Sequence, residues 1–98
     1  MNTLNIPKLV TLKSGESFKV YQVTGLAGMK MPLHHSTKEA VVIVQEGYAQ
    51  LKIDEIKYML MAENTFIIPA HQNHTFSVKA KFKALVIMSQ NSDIEFVQ

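Results

Sequence analysis

Residues 40–61 read AVVIVQEGYAQLKIDEIKYMLM, and this stretch decides the fold. Its first five residues, 40–44, are apolar without interruption and have the length of one β-strand. The turn-forming sequence at 45–47 predicts a break, after which a second strand begins. Asp54 and Glu55 then predict a tight hairpin into a third strand. The stretch therefore predicts a compact run of antiparallel strands.

Similar short segments, rich in Val, Ile, Phe and Tyr, recur in both directions from this stretch. Turn residues separate them at intervals of roughly 8–12 residues, and no sustained helical periodicity is present. The predicted strands are 8–13, 18–23, 29–34, 40–44, 48–53, 56–61, 65–68, 74–78, 82–88 and 94–97. We therefore predict one all-β domain over residues 1–98, with about nine to eleven short antiparallel strands in a sandwich or a closed barrel.

Composition narrows the possible partners. The 98 residues are 47% apolar, which is enough to form a core, and no apolar run approaches the roughly 18 residues of a membrane span. Cysteine is absent, so the chain has no disulfide, no thiolate ligand and no Cys nucleophile.

The distribution of positive charge argues against nucleic-acid binding. Arginine is absent, and Lys79, Lys81 and Lys83 alternate with apolar residues as on the solvent-exposed face of a strand. Without a secretory signal pattern, the expected location is the cytoplasm.

Two stretches, 28–47 and 63–76, resemble the two conserved motifs of the cupin family. In the first, five residues separate Gly28 from His34, and the motif closes on Gly47. In the second, Glu63 takes the place of the first glycine, and His74 falls where the motif has its histidine. The resemblance implies a double-stranded β-helix, also called a jelly-roll barrel.

The same resemblance implies a metal site, because the family binds metal through three histidines and one glutamate. In the register that ends on Gly47, His34 and His74 occupy two of these places, and Ser36 and Ala40 occupy the other two. A longer spacer would instead use His35, and a one-residue bulge would bring Glu39 toward the interior. The candidate metal ligands are therefore His34, His35, Glu39 and His74. The expected cofactor is one divalent transition metal ion (Zn, Mn, Fe, Ni or Cu), and a barrel without metal is the alternative.

Other residues are weaker candidates for a metal-binding or catalytic role. His71 stands at a glycine place of the second motif, where a turn with positive φ is expected, and the interpretation favoured for it is a loop residue rather than a ligand. Two methionine pairs at i, i+2 spacing suit either core packing or a copper ion; they are Met29 with Met31 and Met59 with Met61. Glu46 is interpreted as a solvated turn residue. No G-x-S-x-G sequence occurs, so a hydrolase is not indicated.

The run 40–44 also bears on assembly. A strand with one wet face alternates in polarity, but this run is apolar on both faces, so both faces should be buried. We expect a second copy of the chain to cover the outer one, giving a homodimer. The expected function is a barrel that binds a small ligand or a metal. One alternative is a metal-dependent enzyme of the dioxygenase or isomerase type, and the other is a structural dimeric barrel with a packed interior.

Overall fold

The computed structural model describes residues 5–97, and eight strands lie within them. They are β1 (Lys8–Ser14), β2 (Phe18–Gly25), β3 (Lys30–Ser36), β4 (Ala40–Ile53), β5 (Ile56–Met61), β6 (Thr65–Ile68), β7 (His74–Ser89) and β8 (Ile94–Phe96). Every pairing between them is antiparallel. The same residues contain no helix long and apolar enough to cross a membrane.

The strands form two five-stranded sheets that share β4 and β7. The first sheet has the order β1-β2-β7-β4-β6 and uses residues 82–89 of β7 and 40–46 of β4. The second sheet has the order β8-β3-β7-β4-β5 and uses residues 74–80 of β7 and 48–53 of β4. Two facing sheets joined by strands that run through both are a jelly roll, which confirms the predicted fold class.

The predicted turn at 45–47 was wrong, and this accounts for one of the two strands by which the ten predicted exceed the eight observed. β4 continues through these residues, and its register with β7 shifts between Val44 and Ala49. Such bulges bend a strand without ending it. β7 likewise joins the two segments predicted at 74–78 and 82–88. Glu46 is consequently a strand residue at the bend and not a turn residue.

Gly47 makes the bend possible. Its φ of 73° lies in the left-handed region, and a Cβ atom placed on it would lie 1.7 Å from the carbonyl oxygen of Lys81. The backbones of β4 and β7 therefore approach each other at a distance that a side chain would prevent. This contact lets both long strands pass from one sheet to the other.

The core fills the space between the sheets with one side chain from every second residue. Along β4 the buried residues are Ala40, Val42, Val44, Ala49, Leu51 and Ile53, and β7 contributes a matching set. The rings of Phe76 and Phe82 meet at 5.2 Å between centroids. Alternation with period 2 on both central strands directs one face of each sheet to a common interior.

Candidate functional site

His34 and His74 meet at one end of this interior. They lie directly opposite each other on the neighbouring strands β3 and β7, and both side chains are buried. Their ring centroids are 4.2 Å apart, in an edge-on arrangement. The structure therefore brings together the two histidines that the motif resemblance singles out.

Each of the two rings is oriented by a local hydrogen bond of the same type. Nδ1 of His34 lies 2.7 Å from the carbonyl oxygen of Pro32, and Nδ1 of His74 lies 2.8 Å from that of Gln72. A carbonyl oxygen can only accept, so in each ring Nδ1 carries the hydrogen and donates it. The Nε2 atom of each neutral ring then keeps its lone pair. Within residues 5–97, neither Nε2 atom has a hydrogen-bond partner.

Burial keeps both imidazoles neutral. The pKa of His74 is lowered to about 4, mainly by loss of solvation and also by the nearby His34 and His35, while the bond to Gln72 opposes the shift. Burial also lowers the pKa of His34. The charged form of an imidazole is the one that suffers from a low-dielectric environment. At neutral pH the site therefore presents two uncharged hydrogen-bond acceptors.

Both rings line a cavity of about 80 Å³ between the sheets. Three polar side chains contribute to its wall, those of His34, Ser36 and His74. The Ser36 hydroxyl donates to the carbonyl oxygen of Lys38 at 2.8 Å, so its hydrogen is already used. The remaining lining side chains are apolar. The cavity is consequently apolar, with the hydrogen-bond acceptors of the two histidines at one end.

Ser36 and Ala40 line this cavity together with the two histidines. These are the four positions at which the resemblance places metal ligands in the register that ends on Gly47. The fold therefore puts all four positions around one space, and the chain carries imidazoles at two of them. A serine and an alanine stand at the other two.

His35 and Glu39 lie away from the cavity lining. Consecutive strand residues point to opposite sides, so His35 projects outward when His34 points inward. Its Nδ1 lies 3.0 Å from Oδ1 of Asn73, and its Nε2 lies 3.1 Å from Oε1 of Glu95. Glu39 is exposed in the connection between β3 and β4. The structure thus brings neither of these two candidates to the histidine pair.

The donor set at the histidine pair does not fit a resident divalent metal. Catalytic zinc sites use three protein ligands, and carboxylate oxygens commonly complete such sets. In the described part of the chain, no group of three or more His, Cys, Asp or Glu side chains could hold a metal ion. We therefore assign no chemical step to a metal.

His71 and the methionines also have defined places. His71 is exposed and has a φ of 61°, as the second motif predicts. Met31 lines the cavity, whereas Met59 and Met61 are exposed on β5. The two methionine pairs therefore do not share one site.

Sequence reasoning missed the contribution of β8. Ile94 lines the cavity, and the Phe96 ring lies 5.3 Å from that of His34. β8 pairs with the edge of β3 next to the histidine pair. Residues 94–97 were predicted as a strand, but only its pairing with β3 reveals that it covers this end of the cavity.

Comparisons with protein-family models and with curated proteins found no match. Solved structures do match. A cupin superfamily protein of Desulfitobacterium hafniense has a TM-score of 0.78 at 21% identity, over 87% of this chain and 78% of its own. A protein of Klebsiella pneumoniae with a double-stranded β-helix domain has a TM-score of 0.83 at 16% identity, over 95% and 85% of the two chains.

An enzyme is among the similar structures. The DMSP lyase DddQ of Ruegeria pomeroyi has a TM-score of 0.85 at 17% identity, and the match covers 97% of this chain but 53% of the lyase. Identities this low establish the shared fold. The chain therefore shares the double-stranded β-helix fold of these structures, which is the fold that the two motif-like stretches imply.

Proposed function

We propose that the chain is a non-catalytic binding protein whose cavity takes a small neutral molecule that donates hydrogen bonds to His34 and His74. The observation that carries this proposal is the pair of Nε2 lone pairs at the end of an apolar cavity. A donor that enters the cavity can bond to these lone pairs, and one such hydrogen bond contributes about 1 kcal/mol net.

The same features exclude several kinds of ligand. A carboxylate would direct its own lone pairs at those of the two imidazoles, and any ion would lose its hydration in an apolar chamber. The volume of about 80 Å³ is well below the ~300–1,000 Å³ of pockets for drug-sized ligands. The ligand therefore has only a few non-hydrogen atoms and at least one N–H or O–H group.

Acetamide and acetate give a matched test, since they have the same size and shape but only acetamide donates. At pH 7 acetamide should shift the Nε2 resonances of both histidines in ¹⁵N NMR, with a dissociation constant in the millimolar range, and acetate should leave them unchanged. His74→Phe removes one acceptor while keeping a ring, and it should weaken acetamide binding at least roughly tenfold. Equal binding of the two probes would contradict the proposed recognition.

A structural barrel with a packed interior is the second candidate, and the small cavity together with the edge-to-face contact of Phe76 and Phe82 favours it. The NMR experiment separates the two candidates. If neither probe shifts any histidine resonance up to about 100 mM, the interior serves packing alone.

A metal-dependent enzyme remains the third candidate, which the similarity in fold to the DMSP lyase DddQ keeps open. Protein purified without chelator and then supplied with Zn, Mn, Fe, Ni or Cu should hold less than about 0.1 ion per chain. The double variant Ser36→His with Ala40→Glu is the positive control, because it places donors at the two vacant positions around the cavity. It should bind about one ion per chain. One tightly bound ion in the unmodified protein, lost in His74→Ala, would favour the enzyme.

A further inference from the structure

A groove of about 650 Å³ lies beside the bend of β4 and β7. It is lined by residues 6–8, 24–26 and 81–83 together with Met29 and Glu46, and we call it the bend groove. Its volume lies within the roughly 300–1,000 Å³ of pockets for small molecules, whereas the internal cavity measures about 80 Å³. Neither histidine of the internal cavity belongs to the lining of the bend groove. The bend groove is therefore a second, larger space, separate from the histidine pair.

Three lysines surround the bend groove. Lys8 and Lys83 both lie opposite Thr24, on the two sides of β2, and Lys81 lies two residues before Lys83 on β7. The carboxylate of Glu46, opposite Lys83, is the single negative charge of the lining, so three positive charges less one leave an excess of two. Within residues 5–97, none of the three ammonium groups has an ion-pair or hydrogen-bond partner. The rim of the groove is therefore positively charged and open to an anionic group.

The rest of the lining is largely apolar. It includes Ile6, which is 46% exposed, and Leu26, which is 56% exposed. Phe82 is buried and lines both the bend groove and the internal cavity, so it is part of the wall between the two spaces. An exposed apolar surface with a polar rim is typical of a ligand-binding groove. The apolar part of a ligand would remove these side chains from water, which stabilises a complex in proportion to the apolar area buried.

Hydrogen bonds hold one wall of the bend groove in place. The N–H of Gly28 donates to the carbonyl oxygen of Val78 at 2.9 Å, and the N–H of Val78 donates to that of Met29 at 2.8 Å. The N–H of Leu26 donates to the Met29 sulfur at 3.3 Å. These bonds tie the connection between β2 and β3 to the central strand β7. The wall is consequently ordered before a ligand arrives, and binding loses little conformational entropy there.

We propose that the bend groove binds an amphiphilic carboxylate, a molecule with one negative charge and an unbranched alkyl tail. The carboxylate lies among the three lysines, and the tail lies along the apolar lining. Ion pairs at a solvated rim contribute little each, so the lysines select the charge while burial of the tail supplies most of the affinity. The internal cavity is too small and too apolar for such a ligand. The two sites therefore take different classes of molecule, and this proposal does not depend on the proposed function.

Three compounds test which parts of the ligand matter. Octanoate has the charge and the tail, and in calorimetry at pH 7 its dissociation constant should be about 1 mM or less, which is within the energy available to a ligand of this size. 1-Octanol should bind at least about fivefold more weakly, because it forms no ion pair with the lysines. Hexanoate should bind at least about fourfold more weakly, since each CH₂ group that leaves water strengthens binding by up to about fourfold.

Two double variants test the place of the carboxylate. Lys81→Met with Lys83→Met removes two charges of the rim but keeps unbranched apolar side chains, and it should weaken octanoate binding at least about fivefold with little effect on 1-octanol. Lys52→Met with Lys57→Met is the matched control, because it removes two charges that lie opposite each other on β4 and β5, outside the groove lining. It should bind octanoate like the unmodified protein. Circular dichroism shows whether each variant is folded, and Lys8→Met is the second groove variant if the first fails to fold.

NMR locates the bound octanoate. It should shift the backbone amides of Thr24, Leu26 and Lys83 and leave the Nε2 resonances of His34 and His74 unchanged, so this proposal and that of a neutral ligand in the internal cavity fail on different resonances. Equal binding of octanoate and 1-octanol would overturn the proposal, and so would equal losses of octanoate binding in the two double variants. Shifts centred on other amides, or no binding of octanoate up to about 10 mM, would overturn it as well.

Discussion

At the scale of single residues, His34 and His74 have the same local hydrogen-bonding arrangement. Each ring bonds through Nδ1 to the carbonyl oxygen two residues earlier in the chain, and each keeps Nε2 without a partner among the described residues. Both rings line the same apolar cavity, so two ring nitrogens without a protein partner among residues 5–97 are available there to a ligand that donates hydrogen bonds.

The low pKa of His74 predicts an acid-dependent loss of stability. The unfolded chain takes up a proton near pH 6.5, but folded His74 resists protonation until about pH 4. Between these values the unfolded state binds more protons, so stability is full above pH 6.5 and falls as the pH approaches 4. The loss from this one group is at most about 3 kcal/mol.

Urea unfolding at pH 7 and pH 4 measures this effect, with His74→Asn as the comparison. The amide of asparagine can donate to the carbonyl of Gln72 in place of Nδ1, but it does not titrate. The free energy of unfolding should fall between pH 7 and pH 4 by about 3 kcal/mol more in the unmodified protein than in the variant. Equal losses, or an NMR titration of His74 with a midpoint at pH 6 or above, would contradict the burial argument.

At the scale of elements, the bend at residues 44–49 of β4 decides how the sheets are joined. Gly47→Ala should destabilise the fold by roughly 3–5 kcal/mol, because its Cβ would collide with the backbone of Lys81 at a left-handed φ. Gly28→Ala is the control, since Gly28 also has a positive φ but has open space where a Cβ would lie. Strain alone should cost it about 1–2 kcal/mol. Chemical denaturation gives both values, and equal losses would show that close approach is not what requires Gly47.

The same bend shows where prediction from the sequence ends. Period-2 alternation and turn residues were enough to place almost every strand and the hairpin at Asp54, whose φ is positive as in a tight turn. The sequence Gln45-Glu46-Gly47, however, is equally typical of a β-bulge and of a turn. The difference depends on whether β7 continues alongside β4, and local patterns do not contain that pairing.

The candidate site was predictable to a similar extent. Motif spacing identified the four positions around the cavity, because the fold keeps their register. His35 and Glu39 were alternative candidates because the spacer of the first motif varies in length. A shift of one residue in a strand moves every side chain to the opposite side of the sheet, so the sequence does not decide which residues face the interior. The free Nε2 atoms and the cover formed by β8 depend on contacts between distant segments. Neither has a signature in the local sequence.

At the scale of the whole molecule, the two sheets are not independent units. β4 and β7 are central strands in both, so the middle of each sheet continues through an unbroken backbone into the middle of the other. Each sheet also supplies one wall of the common core, which includes Val42 from the first and Leu51 from the second. The molecule should therefore unfold in one cooperative transition.

Native-state hydrogen exchange measures this cooperativity sheet by sheet. The amides of Val42 and Val86 report on the first sheet, and those of Leu51 and Phe76 on the second, all on central strands. Their free energies of opening should agree within about 1 kcal/mol and equal the global value from urea unfolding at the same protein concentration. Gly47→Ala should lower all four together, since it weakens the junction rather than either sheet. If the amides of one sheet opened more easily by over about 2 kcal/mol, that sheet would unfold separately, and β4 and β7 would not couple the two halves.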